Sequence, residues 1–141
     1  MPIDIQSISS VATAVGVVFA AWQLWVTKKQ AVLQFEDSMT AQYREILRRL
    51  PVEALLGEPL SDARYSETLK EFIHYFDLSN EQAFLRLKKR VRKSTWKEWE
   101  EGILQNMRRP AFTQAWEEVT RRAPETFNEL RAILKRSLSV G

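Results

Sequence analysis

A long uncharged run occupies the amino-terminal part of the chain, and the remainder places apolar residues at helical spacing among charged ones. Residues 5–27 contain no charged side chain and are mostly apolar, whereas Asp4 precedes this run and Lys28 and Lys29 follow it. A helix of about 20 apolar residues spans the ~30 Å hydrocarbon core of a bilayer. The pattern therefore predicts a transmembrane anchor over residues 1–29 and a separate body over residues 30–141.

Two other kinds of segment share part of this pattern. A secretory signal peptide has a basic start, a shorter apolar core and small residues before its cleavage site. Here no Lys or Arg precedes the run, which ends near the bulky residues Trp22 and Trp25. A buried helix of a soluble protein is usually shorter and is seldom uncharged on every side. We therefore favour the transmembrane anchor over both alternatives.

The distribution of positive charge predicts the orientation of this anchor. Every Lys and Arg of the chain follows the uncharged run, and positive residues favour the cytoplasmic side of a membrane helix. We expect a single pass through a bacterial inner membrane, with the lipid bilayer as a partner and the carboxy-terminal body in the cytoplasm. The residues expected at the inner membrane interface are Trp22, Trp25, Lys28 and Lys29.

Small and polar residues share one side of the predicted anchor. Ala12, Gly16 and Ala20 have the spacing that lets two helix backbones approach closely, although such spacing also arises by chance. Hydrocarbon cannot form hydrogen bonds with Gln23, so we predict self-association through this side. In a ring of many copies, it could line a central aqueous passage. At about 100° per residue, the predicted oligomer or pore face contains Ser9, Ala12, Thr13, Gly16, Ala20, Gln23 and Thr27.

The body is predicted to be entirely helical, which gives an all-α fold with an amino-terminal transmembrane helix continuing into a cytoplasmic helical bundle. Apolar residues recur at helical spacing, and Pro51, Gly57 and Pro59 mark the main connection. The predicted helices cover residues 30–50, one short turn within 51–63, residues 65–91, a helix capped by Ser94 or Thr95, and helices that begin at Pro110 and Pro124. Core candidates in the second long helix include Leu69, Phe72, Ile73, Phe76, Leu78, Ala83, Phe84, Leu85 and Leu87.

Composition limits the chemistry of this body. The chain of 141 residues contains no Cys and carries a formal net charge of +3. Its basic and acidic residues are interspersed, which is typical of solvated helix surfaces and argues against a nucleic-acid partner. The single histidine, His74, has no partner at a catalytic spacing, and phosphate-loop and metalloprotease motifs are missing. We expect a non-enzymatic protein with no metal and no cofactor.

One cluster of positive charge stands out from this mixture. It lies at the expected end of the second long helix and contains Lys88, Lys89, Arg90, Arg92 and Lys93. This basic patch could contact anionic lipid head groups or nucleic acid. It could equally be a solvated helix end, where positive charge opposes the helix dipole.

Two segments of the body carry a family resemblance. Residues 74–85 read HYFDLSNEQAFL, and residues 94–118 read STWKEWEEGILQNMRRPAFTQAWEE. In these segments the chain resembles a group of small bacterial membrane-anchored proteins of unknown function, which also begin with one membrane helix. In architecture alone it is similar to the pore-forming membrane accessory protein of type VI-B CRISPR systems, whose helical body is HEPN-like. The Arg-x4–6-His motif of HEPN ribonucleases is missing here.

Three functional hypotheses follow from these observations. In the first, the chain is a homo-oligomeric membrane protein, which could form a pore or perturb the membrane in antiphage defence. In the second, it is a membrane-tethered scaffold or binding module that recruits a cytoplasmic protein partner through its aromatic helices. In the third, it is a degenerate HEPN-type ribonuclease that depends on His74.

Overall fold

The computed structural model describes residues 4–140, and every regular element in that part of the chain is a helix. The prediction of an all-α fold is therefore confirmed. The helices are α1 (Ile5–Arg49), α2 (Val52–Leu55), α3 (Asp62–Leu87), α4 (Lys93–Met107), α5 (Pro110–Arg122) and α6 (Asn128–Ser139).

The chain divides into two compact units, Met1–Phe35 and Glu36–Gly141. In the first unit, α1 contains an 18-residue stretch with a mean hydropathy of 1.6, and none of that stretch is buried. By length and composition this helix could cross a membrane. The helix contains no break after Lys29 and ends only at Arg49, as the sequence predicted.

Proline and polar caps set the helix boundaries of the second unit. Pro51 follows the end of α1, because its ring is incompatible with a helix interior. The side chain of Ser61 accepts a hydrogen bond from the backbone N–H of Arg64 and so caps α3. Pro110 occupies the first turn of α5, where its missing N–H is not needed.

Aromatic rings form the centre of the second unit. The Phe112 ring meets the rings of Phe72 and Tyr75 edge to face, with centroids 5.0 and 5.1 Å apart. Phe76 makes the same kind of contact with Trp116 at 5.1 Å. Edge-to-face packing brings the positive ring edge to the negative ring face, which adds to the gain from burying apolar area. The core therefore depends on α3 and α5, with α4 and α6 packed around them.

Several sequence predictions about this unit need correction. Ile73, Phe84 and Leu87 were expected in the core but are exposed, whereas Tyr75 is completely buried. The cap position of α4 is occupied by Arg92 and not by Ser94 or Thr95. The last helix begins after Phe127, so that Pro124 belongs to the preceding turn.

Candidate functional site

The predicted oligomer face of the anchor is exposed along its whole length, but two of its hydroxyl groups already donate hydrogen bonds within the helix. Ser9 donates to the backbone carbonyl of Gln6 at 3.0 Å, and Thr13 donates to that of Ser9 at 2.9 Å. Such bonds to the preceding turn let a hydroxyl remain in an apolar medium without an external partner. Gln23 is therefore the residue of this face that most needs a partner outside the helix, because its exposed amide carries two donors and one acceptor.

Gly16 lies in the middle of the same face with open space around it. A Cβ atom added there would meet no heavy atom within 4 Å. The backbone at Gly16 therefore has room for a side chain, at a position that is exposed. On the opposite side of the helix, a shallow apolar groove of about 460 Å³ is lined by Ala14, Val15, Val18, Phe19 and Trp22.

The residues predicted for the membrane interface are also exposed. The Lys29 ammonium group lies 5.3 Å from the centre of the Trp25 ring, which is a cation–π contact. The rings of Phe19 and Trp22 are 6.0 Å apart. Amphipathic rings beside lysines are the arrangement expected where a helix leaves the hydrocarbon region.

A buried carboxylate in the second unit organises the basic patch. Glu36 is 4% exposed and accepts hydrogen bonds from the Arg92 guanidinium group at 2.6 and 3.0 Å. It also accepts from the Arg92 backbone N–H at 3.1 Å and from the Thr95 hydroxyl at 2.8 Å. Burial alone would raise the pKa of the Glu36 carboxyl, but these hydrogen bonds and the Arg92 charge together hold that pKa below its ordinary value. Arg92 therefore fixes the start of α4, and its charge is largely neutralised by Glu36.

The basic patch begins where α3 ends in a tight turn. Lys89 adopts the left-handed conformation with φ of 58°, and the Arg90 N–H donates to the carbonyl of Leu85 at 3.0 Å. This is the Schellman ending, in which glycine is the usual left-handed residue. Lys88 lies over the Phe84 ring at 5.4 Å. Because of the turn, Lys89 and Lys93 reach one common groove.

This basic groove lies among the end of α3, the start of α4 and α6, and it encloses about 1190 Å³. Its exposed cations are Lys89, Arg92 and Lys93 from the predicted patch and Lys135 and Arg136 from α6, and of these Arg92 is paired with Glu36. Apolar side chains form part of its wall, among them the half-buried Trp96. Sequence reasoning missed the contribution of α6, although two adjacent cations in its last turns were a visible signal.

An acidic groove of about 460 Å³ occupies another part of the second unit. It lies between α1 and α3, and its acidic residues are Glu45, Asp77 and Glu81. His74 lines the same groove, with its Nδ1 atom 3.6 Å from the carboxylate of Glu71. The Glu71 Oε2 atom is buried and has no hydrogen-bond partner among the described residues. His74 is thus at an accessible surface and not in the core.

A buried polar network lies in the second unit, and a small cavity that opens to the surface lies beside it. The Asn106 amide donates to the Tyr75 hydroxyl at 2.9 Å and to the Tyr43 hydroxyl at 3.3 Å, and its oxygen accepts from Arg109 at 2.6 Å. Burial raises the pKa of Tyr75 to about 12, so its hydroxyl stays protonated as a structural partner. A cavity of about 270 Å³ adjoins this network and is lined by Thr40, Tyr43, Arg44, Gln82, Glu98, Trp99, Gly102 and Ile103.

The candidate residues thus fall into an anchor face and two oppositely charged grooves. Of the predicted basic patch, Lys89, Arg92 and Lys93 line the basic groove, whereas Lys88 and Arg90 do not. Comparison with known proteins adds no assignment, since the sequence matches no protein family, no curated protein and no solved structure.

Proposed function

We propose that this chain is a membrane-anchored, non-enzymatic protein that assembles with copies of itself through its amino-terminal helix and holds its helical body in the bacterial cytoplasm. The carrying observation is the apolar stretch of α1, in which no residue is buried. A water-exposed apolar surface of this length would be costly, and a bilayer removes it from water.

The two sides of the anchor support the second part of the proposal. Val15 and Val18 lie on an apolar side of the helix that can face lipid, while Gly16, Ala20 and Gln23 lie on the other side. A Gln side chain in contact with lipid leaves its amide without partners, and interhelical polar contacts typically contribute ~0.6–2 kcal/mol. Association of the small and polar sides offers Gln23 a partner and lets the backbones approach closely.

The finer form of this proposal is a pore. In a closed ring of anchors, the face that contains Gln23 would be turned inward and could line an aqueous passage. A role in antiphage defence follows from the architectural similarity alone. Membrane depolarisation on expression of the full-length chain, compared with expression of a Gln23→Leu variant, tests this finer form.

The mass of the full-length protein in detergent tests self-association directly. We expect a discrete oligomer, and we expect Gly16→Leu to shift it towards the monomer. Since a Cβ atom added at Gly16 meets no heavy atom within 4 Å and the position is exposed, a loss of assembly would report on contacts between copies. Val18→Leu on the opposite side is the matched control and should leave the mass unchanged. A monomeric wild-type profile at micromolar concentration would contradict the proposal.

A membrane-tethered binding module is the second candidate function. The aromatic residues Phe72, Tyr75 and Phe112 are buried in the core, so a partner could not be recruited through them. The observation that favours this candidate is the cavity beside Tyr43 and Trp99, where polar and aromatic groups converge. This second candidate predicts that the full-length chain is a monomer in detergent and that Gly16→Leu leaves partner binding unchanged. The ribonuclease hypothesis, in contrast, requires His74→Ala to abolish RNA cleavage.

A further inference from the structure

The two charged grooves of the second unit lie on opposite sides of one helix. At about 100° per residue, Asp77 and Arg86 point in opposite directions from α3, because nine residues separate them. Asp77 and Glu81 line the acidic groove, whereas Ala83, Arg86 and Leu87 line the basic groove. The grooves share no lining residue.

Both grooves combine charge with apolar surface. Leu87 is 64% exposed at the basic groove and has no role in the core. The acidic groove is lined by the exposed Ala41 and the half-buried Ile46 in addition to its carboxylates. Charged rims around apolar surface are typical of protein interfaces, where complementary charge fixes the partner and the register.

The local ion pairs decide which charges are available for a partner. Arg92 is held by Glu36, and Glu45 is engaged by Arg48 and Arg49. The basic groove retains Lys89, Lys93, Lys135 and Arg136, which outnumber its acidic residues Glu100 and Glu129. The acidic groove retains Asp77 and Glu81.

From this arrangement we infer that the basic groove of one copy binds the acidic groove of the next. Since the two surfaces differ and face opposite ways from α3, the contact is head to tail. A contact of that type is not self-limiting as a symmetric dimer is, and it generates a ring if the rotation between copies closes. The inference rests on the proposed self-association and adds a second interface, between the bodies, to the one between the anchors.

Site-directed cross-linking of the full-length chain in detergent tests this contact. The chain contains no natural Cys, so each introduced thiol is unique. A Leu87→Cys chain carries its thiol in the basic groove, and a Gln42→Cys chain carries it in the acidic groove. We expect the mixture to form the mixed disulfide on mild oxidation. Gln114 is exposed and lines neither groove, so a Gln114→Cys chain is the control and should cross-link weakly with Leu87→Cys.

Charge reversal makes the test specific. Lys135→Glu with Arg136→Glu in the Leu87→Cys chain should reduce the mixed product ~10-fold, because like charges then face each other. Asp77→Lys with Glu81→Lys in the Gln42→Cys chain should restore the product when both reversed chains are mixed. All four substituted residues are exposed. The milder changes Lys135→Gln and Arg136→Gln repeat the first arm if a reversed chain proves unstable by circular dichroism.

The possible outcomes distinguish a failure of this contact from a failure of the proposed function. Restoration by the second reversal supports the head-to-tail contact. An oligomer of unchanged mass without the mixed disulfide overturns the contact and leaves anchor association in place, whereas a monomeric wild-type chain removes both. Cross-linking of Leu87→Cys only to itself would indicate a symmetric contact and overturn the inference. The inference is also overturned if the chain with Lys135→Glu and Arg136→Glu cross-links as before but binds phosphatidylglycerol vesicles more weakly. That result would mean that lipid occupies the groove.

Discussion

Asn80 in the middle of α3 caps α6 by accepting a hydrogen bond from the backbone N–H of Leu130 at 3.1 Å. The same oxygen accepts from the N–H of Glu129, also at 3.1 Å. The residue at the cap position itself, Phe127, has φ of 55° and provides no capping side chain. Its ring lies 6.2 Å from the rings of both Phe76 and Trp116. Phe127 at the start of α6 thus packs into the core, while Asn80 from α3 supplies the hydrogen-bond acceptor that caps α6.

Removal of this cap should destabilise the body. Asn80→Ala leaves two backbone donors of α6 without their acceptor, and loss of a capping side chain costs about 1–2 kcal/mol. We expect the unfolding free energy in urea, followed by tryptophan fluorescence, to fall by about that amount. Asn80→Asp keeps the acceptor and adds a negative charge that favours a helix amino terminus. Equal destabilisation by both variants would contradict the capping role.

The stability of the body should decline in acid through Glu36. Because the folded-state pKa of this carboxyl lies below its ordinary value of 4.5, its contribution is fully present above pH 4.5. That contribution is lost as the pH falls from there through the folded-state pKa. Glu36→Gln should lower the melting temperature at pH 7 by ~5 °C and should flatten the acid limb of the profile. An acid limb identical to that of the wild type would show that other carboxyls cause it.

The left-handed residue at the end of α3 offers a stabilising substitution. Lys89 has φ of 58°, a conformation that costs a non-glycine residue roughly 1–2 kcal/mol. Lys89→Gly should relieve this cost and raise the unfolding free energy by up to about 1 kcal/mol after the larger entropy of the unfolded glycine is counted. Lys88 has φ of −78°, so Lys88→Gly should instead lower stability. Chemical unfolding of the two variants should give shifts of opposite sign.

The polar side of the anchor should matter through Gln23 more than through its hydroxyls. Thr13 already donates to the Ser9 carbonyl, so Thr13→Val should change the oligomer mass little. Gln23→Leu should weaken the oligomer, because it removes the amide that needs a partner outside the helix. Val18→Leu on the opposite side should have no effect. If Gln23→Leu and Val18→Leu behave alike in assembly and depolarisation measurements, the polar side has no role in association.

Local sequence determined the helices and the features that depend on one segment. The apolar run before Lys28, the stop at Pro51 and the start at Pro110 all follow from side-chain hydropathy and proline geometry, which act within a few residues. The small and polar side of α1 likewise follows from periodicity alone. Predictions failed where α3 carries more apolar residues than one face can bury, so that Ile73, Phe84 and Leu87 are exposed while Tyr75 is buried.

Only the tertiary structure decided which distant residues meet. Glu36 and Arg92 are 56 positions apart, and Asn80 lies 50 positions from Leu130, so no local spacing could indicate either pairing. The same holds for the basic groove, where α6 brings Lys135 and Arg136 beside Lys89 and Lys93. Hydrogen bonds and charge clusters of this kind depend on how the apolar faces of distant helices pack. Packing of the core therefore determines which polar side chains of different helices meet. The spacing of residues along the chain does not predict these pairings.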